Sequence, residues 1–460
     1  MDKPLIVRQL PYCKNSTVYF ETIKSKPFPV YLDSCADTIE SGCYDIISAS
    51  PEKWITAKDG QITIRFKNGS CETTDDGFTI LQQELGNIVK IDQSLPSLPF
   101  YGGAIGYFSY DLGRTLEDIP SLIADDLQIP DMEFGIYNWA IVVDHKQKQT
   151  FFVSKTKTEY IYKLIAEITS ICNSSKNIIP SVISDYNTVD QPRWNCSKEE
   201  YLQGVNLIKN YIYDGDCYQV NFTQRIAAHY LGSEWELYKI LRKQNPAPFS
   251  AYLKTIDFTI LSSSPEQFVS LNNLKVVTKP IKGTAKRSDC DEQDNIRASE
   301  LANCDKNQAE NLMIVDLLRN DLGKVCNPGS IKVEKLFDVE SFEHIHHLVS
   351  TISGTLNEQF TAIDVIKNCF PGGSITGAPK IRSMQIIEEL EKQRRGVYCG
   401  AIGYISFNGY MNTNIAIRTA ITKNNTIYYW AGGGIVSDSI PENEYEEMLT
   451  KSSAFLNALS

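Results

Sequence analysis

The stretch SKEEYLQGVNLIKNYIYDGDCYQVNFTQRIAA, residues 197–228, places a helix and a strand side by side. Ser197 followed three residues later by Glu200 is a capping box, in which each side chain satisfies a backbone amide that the first helical turn leaves open. Tyr201, Val205, Ile208 and Ile212 recur on one helical face. DGD at 214–216 ends the run, and YQVNFTQRIAA beyond it has the β-branched and aromatic character of a strand. The same alternation continues downstream. Helices are predicted at 306–320, 361–369, 379–392 and 441–458, with strands in KVVTKPI, GAIGYISF, MNTNIAIRTAI and TIYYWAGG between them. Upstream, ITIRF (62–66), IYNWAIVVD (136–144) and TFFVS (150–154) read as strands, and 155–172 as an amphipathic helix. The polar stretch 173–195, with two prolines, is the best linker candidate. It separates a strand-rich region, 1–180, from a second region, 196–460. GAIGYF (103–108) echoes GAIGYI (400–405), an echo that two similar buried strands explain as well as a duplication does.

Composition narrows the class. The 460 residues carry 45 Lys and Arg against 56 Asp and Glu, a net charge of −11, which speaks against a nucleic-acid binder driven by bulk charge. The hydrophobic fraction of 42% is that of an ordinary folded protein. No run approaches the roughly 18 apolar residues of a membrane span, and the N-terminal MDKPLIVRQLPYCK has no signal-peptide pattern. None of the 12 cysteines stands three from another, so they read as reduced thiols and the expected compartment is the cytoplasm.

Four segments could carry chemistry. In SSSPEQF (262–268) and TKPIKGTAKR (278–287), Glu266 and Lys282 stand sixteen apart. A buried lysine becomes a nucleophilic amine, and a nearby carboxyl can give or take a proton. Read alone, the segment favours a plainer role, an edge lysine reaching to solvent. The second is acidic: Glu310 lies among apolar residues of KNQAENLMIVDLLRND, and Glu444, Glu447 and Lys451 share one face of the last helix. Carboxylates from two helices suit Mg²⁺, although a solvated Glu–Lys stripe is the commoner outcome for a single helix. The third is glycine-rich, PGGSITGAPKIR (371–382) and AGGGIVSDS (431–439), where loop amides could hold a carboxylate; neither matches a nucleotide-phosphate motif. The fourth is HIHH (344–347), in which a single working histidine is favoured over a zinc site, since no ligand beyond Glu343 stands at zinc spacing.

GDCYQVNFTQR, SSSPEQF, PIKGTAKR, AENLMIVDLLRNDLG, HLVSTISG, PGGSITGAPK, GAIGYIS, NIAIRT, GGGIVSDS and EYEEMLTK follow one another in an order that resembles the chorismate-utilising enzymes. The likeness runs through nearly all of 200–460 and is weaker at YGGAIGYFSYDLGR (101–114). It implies an α+β fold of large antiparallel sheets packed as a sandwich with helices outside, 1–180 being an N-terminal region and 196–460 the chorismate-binding catalytic domain. Within the family, PIKGT resembles the branch that forms aminodeoxychorismate; anthranilate synthases have alanine where Lys282 stands. Isochorismate synthases place a water-activating lysine where this chain has Gln219.

The resemblance implies that Lys282 attacks C2 of chorismate, that Glu266 is the general acid on the 4-hydroxyl, with a role as base for ammonia left open, and that ammonia then enters at C4. It assigns Thr284, His347, Tyr404, Arg418, Gly433, Gly434 and Lys451 to substrate binding, Glu310 and Glu447 to Mg²⁺, and Glu444 to Mg²⁺ through water. Asn307, where many relatives carry an acid, is expected to weaken Mg²⁺ binding. Ser34, Pro248 and Phe249 match the region of a tryptophan pocket. The product would serve p-aminobenzoate and folate synthesis, with ammonia from a separate glutamine amidotransferase partner, since no amidotransferase nucleophile motif is evident. Anthranilate synthesis, or a non-catalytic chorismate-binding subunit, are the alternatives; Lys282 speaks against the first, and intact Glu266, Lys282, Glu310 and Glu447 against the second.

Overall fold

The capping box forms: Ser197 Oγ accepts from the Glu200 amide at 3.2 Å and Glu200 Oε2 from the Ser197 amide at 2.8 Å, starting the helix Lys198–Tyr213. It leads into the strand Gln219–Leu231. The computed structural model describes residues 5–35, 43–174, 186–342 and 345–459. Residues 175–185 of the linker candidate, with Glu343 and His344, therefore lie outside the described residues.

Among the described residues there are two antiparallel sheets, of 13 and 12 strands. Both take strands from each side of the 173–195 stretch. In the first, Val30–Asp33 pairs with Phe249–Lys254. In the second, Gly103–Phe108 pairs with Ala401–Ser406, so the two GAIGY segments lie against each other with Gly106 opposite Gly403.

Period-two burial explains why the sheets stack. Along the first sheet Val30, Ile46, Val142, Ala251 and Ile260 pack into one core, which also holds Trp54, Ile105 and Phe134 of the second sheet. Their neighbours Tyr31, Ile47, Ile141, Tyr252 and Leu261 point the other way, into a second core closed by helices. Those helices contribute Leu164 and Ile168 (Glu159–Ser174), Tyr201 and Val205 (Lys198–Tyr213), Trp235 and Tyr238 (Glu234–Gln244), and Met448 and Phe455 (Pro441–Leu459). The layers are thus helix, sheet and sheet, the α+β arrangement expected.

Three runs that read as single strands are broken. IYNWAIVVD divides at Asn138 into Met132–Tyr137 of the 12-stranded sheet and Trp139–Asp144 of the 13-stranded sheet. MNTNIAIRTAI divides into Met411–Ile415 and Thr419–Lys423, again one in each sheet. KVVTKPI breaks at Pro280, which cannot donate to a ladder. Apolar patterning continues through the first two crossings because both flanks are buried. Among the described residues no helix is long and apolar enough to cross a membrane.

Candidate active site

One of these crossings and a second, at Pro265–Glu266, build one wall of a cavity of 610 Å³. Phe258–Ser264 lies in the 13-stranded sheet and Gln267–Asn272 in the 12-stranded one, so Pro265 and Glu266 form the step between them. Arg418, at φ +50°, forms the matching step between Ile415 and Thr419. Backbone bonds tie the steps together, Ile415 N to Glu266 O and Ser263 N to Arg418 O, both 3.0 Å. Each side chain is thereby turned out of its ladder towards the cavity, which both residues line.

Lys282 arrives by a different device. The strand Ile281–Lys286 pairs with Ile345–Thr355, but the register slips between Ile281 and Thr284. Gly283 sits in this bulge at φ +85°, and a Cβ there would lie 2.8 Å from Asn307 Nδ2. A bulge re-aims a side chain, and Lys282 lines the cavity half-buried. Burial pulls its ammonium below the ordinary range, opposed by Glu310 and Glu266. Burial pushes the Glu266 carboxyl the other way, up to about 7, although Ser374 and Lys282 favour its ionised form.

Ser374 links the two. Its hydroxyl donates to Glu266 Oε1 at 2.6 Å, and its carbonyl accepts from Lys282 Nζ at 3.3 Å and from Asn221 Nδ2 at 3.0 Å. An acid raised towards neutrality and an amine lowered towards it, sharing one serine, form a pair fit for proton transfer and nucleophilic attack.

The opposite wall binds. Thr284 Oγ1 and His347 Nδ1 are 2.9 Å apart on paired strands, and His347 Nε2 is buried without a partner among the described residues. Burial, with Arg418 adding, pulls His347 down to about 3, so its ring is neutral. His346 takes the other face, 3.0 Å from Asp294. Arg418 Nη1 donates to Asn245 Oδ1 at 3.2 Å; burial lowers its affinity for a proton, and it makes no ion pair among the described residues. A half-buried guanidinium with no carboxylate partner is suited to a bidentate anion.

Gly433 and Gly434 belong to the strand Thr426–Ile435, not to a loop. Their value is space: a Cβ on Gly434 would meet Gln219 Nε2 at 2.5 Å, and one on Gly433 would lie 3.5–3.7 Å from Glu444, Lys451 and Glu447. Beyond Tyr429 this strand has a paired neighbour on one side only among the described residues.

Acidic groups gather at one end. Glu310 of Asp305–Gly323 and Glu444 and Glu447 of Pro441–Leu459 all line the cavity. Burial raises the Glu310 carboxyl, with Glu444 and Glu447 adding to the rise. Burial would raise Glu447 too, but Lys451, at 2.7 Å, with Lys306 and Lys282, holds it below the ordinary range. Lys306 Nζ stands 3.5 Å from Glu444. Among the described residues no three ligand side chains are already gathered around a single point. The carboxylates nevertheless fit a hard cation: they are oxygen donors from two helices on one cavity, and Glu310 among them is raised by burial with Glu444 and Glu447 adding.

Tyr404 is not brought to this cavity. It lines a smaller one of 90 Å³ with Leu32, Asp33, Pro248 and Phe249. Ser34 lies beside it in the chain, its amide and hydroxyl both donating to Asp45 at 2.7 Å. The large cavity is lined instead by Tyr429 and by Tyr398, the latter stacked on Trp430 with ring centroids 5.9 Å apart. The sequence reading missed Tyr398, although it stands two residues before GAIGYI. It also gave no role to Ser374, quoted only within its glycine-rich segment.

Comparison with known proteins places this geometry. The family of chorismate binding enzymes matches residues 76–457. Aminodeoxychorismate synthase component 1 of Salmonella typhimurium is 41% identical over 441 residues, covering 96% of this chain and 95% of that protein. Anthranilate synthase component 1 of Acetivibrio thermocellus is 38% identical, covering 90% and 87%. The crystal structure of anthranilate synthase component I from Streptococcus pneumoniae superposes with a TM-score of 0.79 at 32% identity, covering 91% of this chain and 93% of that one. With its Lys282–Ser374–Glu266 cavity built at the steps between two antiparallel sheets, this chain belongs to the family of chorismate binding enzymes.

Proposed function

We propose that the chain converts chorismate and ammonia to 4-amino-4-deoxychorismate and water. The observation that carries the reading is the Lys282–Ser374–Glu266 arrangement, an amine lowered and a carboxyl raised by burial on one shared serine. Its likeness to aminodeoxychorismate synthase component 1 supports the same reading.

In this mechanism the neutral Lys282 amine bonds to C2 of chorismate. The ring double bonds shift, the C4–O bond breaks, and the hydroxyl leaves as water with the proton of Glu266. Ammonia then bonds to C4, the electrons return, the C2–N bond breaks and Lys282 is released. The Glu266 carboxylate takes up the proton that the new ammonium group sheds. Arg418 holds one substrate carboxylate, while Thr284 donates to Nδ1 of the neutral His347 and the Nε2–H of that tautomer donates to a substrate oxygen. Tyr398 and Trp430 wall the ring from water.

Glu310 and Glu447, with Glu444 behind them, would hold Mg²⁺, which would neutralise a second substrate carboxylate. Asn307 packs against Gly283 and adds no charge to that set. Ammonia is expected from a separate glutamine amidotransferase subunit, consistent with the "component 1" of its relatives' names, in a cytoplasmic pathway to p-aminobenzoate. The pocket of Pro248 and Phe249 beside Ser34 is the place where tryptophan would bind. Product identification by mass after incubation with chorismate, Mg²⁺ and ammonium salt tests the reading. The 4-amino product is expected; anthranilate, or unchanged chorismate, would overturn it.

A further inference from the structure

Behind the catalytic pair lies an ion pair that the mechanism does not use. Arg395 is 1% exposed, and its guanidinium is fully engaged. Nε donates to Glu391 Oε2 at 3.0 Å and Nη2 to Glu391 Oε1 at 2.7 Å. Nη1 donates to the Ile375 carbonyl at 2.9 Å and Nη2 also to the Asn221 carbonyl at 2.8 Å. Glu391 Oε1 accepts as well from the amide and hydroxyl of Thr223, at 2.9 and 2.8 Å. The guanidinium also stacks over the Tyr110 ring, 4.6 Å from its centroid.

A buried pair of this kind is a poor source of net stability, because desolvating two charges offsets most of their attraction. What it supplies is geometry. The two carbonyls it grips belong to Ile375, the neighbour of Ser374, and to Asn221, whose amide nitrogen donates to the Ser374 carbonyl. The Asn221 amide also bonds the Thr376 carbonyl at 2.9 Å. Asn221, Thr223, Ser374 and Ile375 all line the cavity, while Glu391 and Arg395 stand behind it.

We infer that the Arg395–Glu391 pair is a positioning clamp: it locks the turn Gly373–Ile375 onto the strand Gln219–Leu231 and so holds Ser374 between Glu266 and Lys282. The planar fork is required, since one group must reach two carbonyls and a carboxylate at once, which an ammonium cannot reproduce. The inference rests on the proposed roles of Glu266 and Lys282.

The test compares Arg395→Lys, Glu391→Gln, Ser374→Ala and the double variant Arg395→Lys/Ser374→Ala, each with its fold checked by circular dichroism. Displacement of Ser374 by the order of 1 Å is expected to lower kcat by on the order of 10²-fold, with KM for chorismate moved by less than about threefold. The double variant should lose little more than the worse single one, because both changes act through the same serine.

A second readout needs no substrate. ¹³C NMR titration of the Glu266 carboxyl should move upward in Ser374→Ala and in Arg395→Lys alike, since the hydroxyl that stabilises its ionised form is lost or turned away. Lys282 and Lys451, the charges that act on Glu266, are unchanged in both. If Arg395→Lys does not fold, Glu391→Gln, nearly isosteric with the native side chain, carries the same comparison. Additive losses, or a Glu266 titration in the clamp variants identical to the parent's, would overturn the inference. Failure of the parent to aminate chorismate at C4 would instead count against the proposed activity and leave the titration result standing.

Discussion

Replacing Glu266 with glutamine is expected to stabilise the fold at alkaline pH while removing turnover. The carboxyl is 5% exposed, and burial raises it from 4.5 to about 7. Between those values the native state holds a proton that the unfolded chain has released, so stability falls as pH rises through that window. Moving a carboxyl from 4.5 to about 7 corresponds to about 3 kcal/mol. Glutamine is neutral at every pH and its oxygen still accepts from Ser374, so it escapes that cost.

For 460 residues an unfolding entropy near 2.1 cal/mol/K each makes about 1 kcal/mol worth about 1 °C in Tm. Glu266→Gln should therefore melt about 3 °C above the parent at about pH 8.5 and with little difference near pH 5. Differential scanning calorimetry of both proteins across that range is the assay. Turnover should fall by about 10²- to 10⁴-fold, the usual contribution of a general acid. A variant no more stable than its parent at the alkaline end, or a difference that does not grow with pH, would refute the reasoning.

Arg418→Gln removes the half-buried guanidinium that has no acidic partner among the described residues, and should raise KM for chorismate about 10- to 100-fold, read from steady-state kinetics. Glu310→Gln should weaken Mg²⁺ binding in calorimetry, and EDTA should abolish turnover in the parent; full activity in metal-free buffer would defeat the metal assignment. The purified chain should turn over with ammonium salts, faster at high pH where more of the ammonia is unprotonated, and not with glutamine. Product from glutamine without a second protein would show the partner expectation wrong.

Much of this was legible in the sequence, and the failures share a cause. The capping box at Ser197–Glu200 is local hydrogen-bond chemistry and forms as read. The face shared by Glu444, Glu447 and Lys451 follows from helical periodicity, and all three line the cavity. The steps at Glu266 and Arg418 were not legible, because an apolar run that leaves one sheet for the other keeps both faces buried and never changes its pattern. Without those steps nothing local shows that Arg418 and Glu266 leave their ladders together. The Lys282 bulge was hidden similarly: Gly283 signals conformational freedom but not the register slip that spends it. Tyr404 was assigned by the family resemblance alone, and Tyr398, two residues before the same GAIGY segment, was given no role. Tyr398 stands in the turn before the strand Ala401–Ser406 and lines the large cavity, whereas Tyr404 on that strand lines the small one.

The central claim is that Lys282 forms a bond to the substrate, and intact-protein mass spectrometry tests it most directly. With chorismate and Mg²⁺ but no ammonia, attack at C2 expels water and has nothing to release the amine. The account therefore predicts a mass increase equal to chorismate less one water, mapping on digestion to the peptide that contains Lys282 and absent from Lys282→Ala. Lys282→Arg should also form none, since a guanidinium stays protonated and is no nucleophile. An unmodified protein under those conditions, together with undiminished 4-amino product from Lys282→Ala, would contradict the account and leave direct displacement by ammonia with Glu266 alone.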